Sequence, residues 1–220
     1  MSKAISLTSA VELIPDGASL MIGGFMGCGS PHRILDELIR QGKKNLTVIC
    51  NDTARPTFGI GKLIVAKAVA KLKTSHIGTN PETQRQMIAG ELEVELCPQG
   101  SLAERIRAAG FGLGGVLTPT GVGTVVADGK QTVEVDGKSF LLEKPIKADF
   151  ALVAAARADY RGNLVYLGTA RNFNPIIAMA ATTVIAEATE IVPTGALTPD
   201  EVVTPHILVD HLIEKAQSNG

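Results

Sequence analysis

Apolar residues along this chain fall into short runs separated by polar and glycine-rich stretches. Ala18 to Ile22, Asn45 to Cys50, Lys71 to Ile77, Leu92 to Cys97, Asp149 to Ala156 and Thr183 to Ala186 read as strands. The first follows the turn pair Asp16-Gly17 and is apolar throughout, as expected of a strand buried on both faces. Leu92, Val94 and Leu96 alternate with Glu93 and Glu95, so one face of that strand is expected to be solvated. Helical spacing lies between the strands. Ile34, Leu35, Leu38 and Ile39 form one apolar face stopped by Gly42, Lys62 to Ala68 reads as a second helix, and Asn80-Pro81 opens a third that Gly90 ends beyond Ile88. Ser9 with Glu12, and Ser101 with Glu104, have capping-box spacing, which predicts a helix through Leu13 and another through about Ala109. Three times a strand ends in a polar or glycine-rich loop leading to a helix. That rhythm predicts an α/β fold, an open and mostly parallel Rossmann-like sheet with helices on both faces.

The later part of the chain changes texture. Gly110 to Gly115 and Thr118 to Thr124 read as irregular loops, and Asp128-Gly129 and Asp136-Gly137 are hairpin signals among short alternating runs. A small antiparallel β-hairpin insertion over about residues 122–143 is therefore expected. Asn163 to Tyr166 reads as a short strand, and Asn174-Pro175 opens a helix to about Ala180. Thr183 to Ala186 is the last expected core strand. Thr198-Pro199 and Thr204-Pro205 predict two helical pieces, the second running to about Lys215 with Ile207, Leu208, His211, Leu212 and Ala216 on one side. No long repeat or low-complexity linker divides the chain, so residues 1–220 read as a single domain.

The stretch Gly23-Gly24-Phe25-Met26-Gly27-Cys28-Gly29 concentrates four glycines between a buried strand and a helix start, with Ser30 as expected N-cap and Pro31 as first helical residue. Free backbone N–H groups and the positive end of a helix dipole make an anion the expected guest. In an open α/β sheet, ligands collect at the carboxyl ends of the strands near a switch in strand order. Residues 23–29, 51–53 and 98–101 should then meet, bringing Asn51, Asp52, Thr53, Gln99 and Ser101 to one crevice. These are mostly neutral hydrogen-bonding groups, suited to an oxyanion, a carboxylate or a thioester carbonyl.

Composition narrows the partners. With 220 residues, 45% of them hydrophobic, and a net charge of −1 without a basic run, the chain has a sizeable core and no electrostatic footprint for nucleic acid or a membrane surface. The apolar segment Pro175 to Ala186 is interrupted by Thr182 and Thr183 and is too short to cross a bilayer. No signal-peptide pattern precedes Glu12, so a cytoplasmic location is expected. Cys28, Cys50 and Cys97 lack C-x-x-C spacing and read as small hydrophobes near strand ends, although Cys28, beside a helix start, sits where a thiol pKa can be lowered. His32, His76, His206 and His211 lack metal-ligand spacing, so no metal site is expected. Neither a P-loop nor G-x-S-x-G is present, and Glu82, Glu91 and Glu104 sit where helix starts and turns carry carboxylates. A dinucleotide reading would place Asp52 on a ribose hydroxyl. Phe25-Met26, however, stand where G-x-G-x-x-G requires its second glycine.

Asp16-Gly17 through Gly23-Gly24-Phe25, Gly29 and Pro31; Asn51-Asp52-Thr53; His76 to Thr83; Pro98 to Ile106; Thr118 to Thr124; and Ala170-Arg171-Asn172-Phe173-Asn174-Pro175 follow one another in order. Together these motifs resemble the α subunits of two-subunit family I coenzyme A transferases of the acetate, butyrate and acetoacetate type. The resemblance covers nearly the whole chain. It implies a ping-pong transfer of coenzyme A from a short-chain acyl-CoA to a free carboxylate through a glutamyl-CoA intermediate. In the family the glutamate lies in a Glu-Asn-Gly type motif of the β subunit, and this chain contains no Glu-Asn-Gly. The resemblance therefore implies no catalytic nucleophile in this chain, a β-subunit partner in a hetero-oligomer of α2β2 type, no tightly bound cofactor, and coenzyme A as substrate. It further implies that Gly23, Gly24, Phe25, Met26, Gly27, Cys28 and Gly29 contact coenzyme A, and that Asn51 and Gln99 position the acyl or carboxylate group. For Asn51 a strand-end cap and for Gln99 a turn residue stay open as alternatives. A non-catalytic subunit holding coenzyme A or a nucleotide is the competing function.

Overall fold

The structure, a computed structural model, describes residues 3–213. In chain order the elements are β1 (Ala4–Ile5), α1 (Leu7–Glu12), β2 (Ser19–Ile22), α2 (His32–Arg40), β3 (Leu46–Asp52), α3 (Gly61–Val65), β4 (Val69–His76), α4 (Pro81–Ile88), β5 (Glu93–Leu96) and α5 (Gln99–Gly110). They continue with β6 (Val116–Thr118), β7 (Thr132–Val135), β8 (Lys138–Glu143), β9 (Ala148–Asp159), β10 (Leu164–Val165), α6 (Asn174–Ile177), β11 (Ala181–Val192) and β12 (His211–Ile213). The main sheet runs β1-β12-β11-β9-β2-β3-β4-β5, every neighbouring pair parallel, with β10 antiparallel on β9. From β2 the chain winds outward through β3, β4 and β5, then resumes on the other side of β2 with β9 and winds outward through β11 and β12. Strand order therefore switches between β2 and β9.

Strand alternation splits the core into two layers. Leu20, Ile22, Val48, Cys50 and Leu72 face α1, α2 and α3, burying Val11, Ile34, Leu35, Leu38, Leu63 and Ile64. Met21, Ile49, Ala151 and Val153 face the opposite way, onto Leu102, Ile106 and Ala109 of α5 and Ile177 of α6. The mostly parallel sheet with helices on both faces is as expected.

Several local expectations change. The first helix is capped by Ser6, whose side chain accepts from the Ser9 N–H, so Ser9 lies inside α1 and the Ser9–Glu12 box does not form. Ser30 and Ser101 do not cap either: both hydroxyls are buried without a hydrogen-bond partner, and the helices start after Pro31 and Pro98. Asn80 does cap α4, accepting from Glu82 and Thr83. The antiparallel insertion has three strands in the order β6-β8-β7, because Val116–Thr118 joins from a stretch expected to be irregular. Asp136-Gly137 forms its hairpin turn with φ of 50° and 72°, as a primed turn needs, while Asp128-Gly129 follows a 3-10 turn and joins no strand pair.

The expected helix from Thr204-Pro205 is absent over the described residues. His206–Leu208 is a 3-10 turn, and His211–Ile213 pairs with β11 and β1, where Leu212 and Ile213 are buried. The remainder of that expectation, to Lys215 and Ala216, lies outside the described residues. Thr198 to Thr204 is not helical, and β11 is longer than expected and is followed by another strand.

Glu37 ties α2 to its own end. It is buried and accepts from Arg40 Nε at 2.6 Å and Gln41 Nε2 at 2.8 Å. The Arg40 guanidinium, against the cost of burial, holds the Glu37 carboxyl down to about 2. A carboxyl depressed on folding contributes stability that is present above its unfolded value and lost as pH falls toward the folded one. The protein is therefore expected to lose stability between about pH 4.5 and pH 2 more steeply than Glu37→Gln, measured as the urea midpoint against pH.

Candidate functional site

The loop after β2 is a pinned turn. Phe25 and Cys28 exchange both backbone hydrogen bonds, at 3.0 and 2.9 Å, across Met26 and Gly27 with φ of 51° and 84°. Met26 in a left-handed conformation is unusual, and its N–H donates to Asp52 Oδ2 at 2.9 Å. Asn172 reaches both ends of the turn: Gly24 N–H donates to its Oδ1 at 3.0 Å and its Nδ2 donates to Cys28 O at 3.0 Å. Asn174 accepts from Ala154 N–H at 3.0 Å and donates to Gly29 O at 2.9 Å. A Cβ on Gly23 would lie 1.9 Å from Asn174 Oδ1, which is why this position is glycine.

The same turn recurs after β3, where Arg55 and Phe58 form an antiparallel bridge. The Phe58 ring covers Gly27, where an added Cβ would come within 2.3 Å of it, and packs tilted by 36° against His32 with ring centroids 4.7 Å apart.

The open anion cradle expected from the glycines is not there. The N–H groups of Gly23, Gly24, Phe25, Met26, Cys28 and Ser30 all donate to protein acceptors. At the start of α2, Arg33 and Ile34 N–H donate to Glu187 at 3.3 and 3.0 Å. A carboxylate from β11 thus occupies the place foreseen for a ligand. Burial pushes the Glu187 carboxyl up, opposed by those two N–H groups.

Two cavities flank the turn. One, of about 370 Å³, is lined by Phe25, Met26, Asn51, Asp52, Ser75, His76 and Gln99. The three segments expected to converge do meet here. β3 runs through Asn51 and Asp52 instead of ending before them, and Gln99 is the first residue of α5. Gln99 Nε2 donates to Asn51 Oδ1 at 2.8 Å, Asn51 Nδ2 donates to Asp52 Oδ2 at 2.7 Å, and Ser75 Oγ donates to Asn51 O at 2.6 Å. Thr53 and Ser101 are not in this lining: Thr53 is buried against Thr83 at 2.9 Å, and Ser101 is buried without a partner.

The second cavity, about 700 Å³, lies at the switch between β2 and β9, with Cys28, Gly29, His32, Arg33 and Glu187 among its lining. Phe25 and Met26 therefore face one cavity, and Cys28 and Gly29 the other.

Asp52 is not free for a ribose. Its Oδ1 accepts from Ala54 N–H at 2.7 Å and its Oδ2 is taken by Met26 and Asn51, which removes the dinucleotide reading. Among the described residues no group of three or more His, Cys, Asp or Glu side chains is placed to hold a metal ion. Cys50 and Cys97 are buried, burial pushing the Cys50 thiol up to about 12, and Cys28 is exposed with Sγ 3.4 Å from Thr169 Oγ1. No helix among the described residues is long and apolar enough to cross a membrane.

Residues 4–215 match the family described as Coenzyme A transferase. The chain belongs to the coenzyme A transferase family. It is 54% identical over 217 residues to the acetate CoA-transferase subunit alpha of Escherichia coli K12, covering 99% of each chain. It is 47% identical over 214 residues to the acetoacetyl-CoA:acetate/butyrate CoA transferase alpha subunit of Clostridium acetobutylicum, covering 97% of this chain and 98% of that one. Among solved structures, an acyl-CoA transferase of Escherichia coli O157:H7 in a thioester complex with CoA matches with a TM-score of 0.85 at 25% identity. That match covers 97% of this chain and 47% of the other, so this chain spans about half of that protein.

Within this coenzyme A transferase chain, residues that pin the loop escaped the reading of sequence alone. Asn172 and Asn174 stood in a recognised motif, but Asn174-Pro175 read as a helix opening. Glu187 carried no local signal, because its partners are 153 residues and more away in the chain. Gly23→Ala is expected to drive a Cβ into Asn174 and to destabilise the chain by about 2 kcal/mol. Thermal melting should show a lowered midpoint, whereas Gly42→Ala, at a helix end with open space around it, should cost less.

Proposed function

We propose that this chain is the α subunit of a two-subunit coenzyme A transferase that moves coenzyme A between a short-chain acyl-CoA and a free carboxylate of the acetate, butyrate or acetoacetate type. The observation that carries this reading is the hydrogen-bonded amide pair Asn51 and Gln99 in the cavity walled by Phe25 and Met26. Neutral amides there are suited to an oxygen that gains negative charge during acyl transfer. The names and full-length coverage of the two subunit relatives support the division into α and β chains.

In this reading a β-subunit glutamate attacks the thioester carbonyl. The C–S bond breaks, giving an acyl-glutamyl anhydride and coenzyme A thiolate. The thiolate then attacks the glutamyl carbonyl and releases the first carboxylate, leaving a glutamyl-CoA thioester, and the acceptor carboxylate reverses both steps. A carboxylate is a weak nucleophile, so alignment and stabilisation of the oxyanion have to supply much of the rate. Asn51 Nδ2 and Gln99 Nε2 each spend one N–H inside the protein and retain one for the substrate oxygen. Phe25, half exposed, and Met26 offer an apolar wall to the acyl or pantetheine chain. The segment Gly23 to Gly29 would meet coenzyme A through these side chains, since most of its amides are already bonded and its glycines are packed against Asn174, Ser30, Phe58 and Ala170. Binding energy from the remote nucleotide would pay for the alignment.

The competing reading, a subunit that only binds coenzyme A, predicts no turnover effect from the amide pair. With the β subunit added, Asn51→Ala and Gln99→Ala are each expected to lower kcat by about 100-fold. The chain alone is expected to turn nothing over, and acyl-CoA followed by borohydride should inactivate the pair by reducing a thioester on the β chain. Turnover by the pure α chain, or unchanged kcat in both variants, would overturn the proposal.

A further inference from the structure

We infer that Asp52 is the positioning residue that sets the donor direction of Asn51 and Gln99 and ties that pair to the glycine loop. This rests on the reading of the pair as the groups that hold the acyl oxygen. Asp52 is 3% exposed at the end of β3. A carboxylate is an acceptor only, so each neighbour must present an N–H. Ala54 does so to Oδ1, and Met26 and Asn51 do so to Oδ2.

The Asn51 amide therefore has one workable orientation. Turned over, its oxygen would face Asp52 Oδ2 at hydrogen-bond distance with no proton between them. The workable orientation turns Asn51 Oδ1 toward Gln99, which in turn must present Nε2, at 2.8 Å. Donation runs from Gln99 to Asn51 to Asp52, and one N–H on each amide is left over. A buried carboxylate thus selects the two protons offered to the substrate without touching it. The same carboxylate holds the Met26 N–H in a turn with φ of 51°, so the apolar wall of the cavity and its polar pair share one anchor.

In the reconstituted two-subunit enzyme, Asp52→Asn puts an NH₂ where an acceptor is needed and frees Asn51 to turn over. The expected result is a kcat lowered about 10- to 100-fold, with the KM for acyl-CoA changed less than about 3-fold. In an Asn51→Ala background the same substitution should cost less than about 2-fold more, because the group it acts through is gone. A merely structural role would cost the same in both backgrounds. Asp52→Ser, whose hydroxyl can still accept from Ala54 N–H, serves the same comparison if Asp52→Asn assembles poorly. Equal losses in the two backgrounds overturn the inference, as does unchanged kcat in Asp52→Asn while Asn51→Ala is impaired. Unchanged turnover in both Asn51→Ala and Gln99→Ala overturns the underlying reading, and the inference with it.

Discussion

Backbone N–H groups at the buried end of a parallel strand must find acceptors, and in this protein side chains from distant segments provide them. Leaving one such group unpaired costs on the order of 1–3 kcal/mol, so the turn after β2 can exist only where those acceptors have been delivered. Asp52 on the neighbouring strand and Asn172 from the segment before β11 accept from the turn, Glu187 from β11 accepts from the first turn of α2, and Asn174 donates to Gly29 O. The turn is thereby a product of the completed sheet. A peptide spanning Gly23 to Gly29 would have no comparable set of partners.

That dependence explains what could and could not be read from the chain. The buried strands, the βα rhythm, the Asn80 cap and the Asp136-Gly137 turn are settled by residues close together, and each stood out in the sequence. Ser30 and Ser101 had the right identity and spacing for caps, yet Glu187 takes the α2 N–H groups from across the sheet. Asn51 and Asp52 read as a polar strand end, and they are strand residues because their polar atoms are satisfied inside the protein. The short strand over His211–Ile213 looked helical because its apolar residues fit that period, and only pairing between β11 and β1 reveals it. For the site, convergence of the loops was legible because the strands of an open parallel sheet end along one edge. The loss of the amide cradle was not, since no local pattern shows whether an N–H is already taken.

The consequence for function is a shift in what the glycine-rich segment contributes. Glycines at a helix start suggest an open row of donors, but here they allow close packing: Gly23 against Asn174, and Gly27 under Phe58. In the proposed function, recognition at this end of the sheet falls to side chains, with amides at Asn51 and Gln99 and apolar surface at Phe25 and Met26 lining one cavity. Coenzyme A transferase chemistry asks for such a division, a rigid polar pair for the reacting carbonyl beside a wall that tolerates an acyl chain.

The two βα turns lie directly on each other, Phe58 over Gly27 and against His32. They are consequently linked in inheritance as well as in space. A side chain at position 27 would need room made at 58 and would still carry the strain of φ 84°, so the large ring at 58 goes with glycine at 27. Among related chains, positions 27, 32 and 58 should therefore change together, whatever acyl group each enzyme has come to prefer.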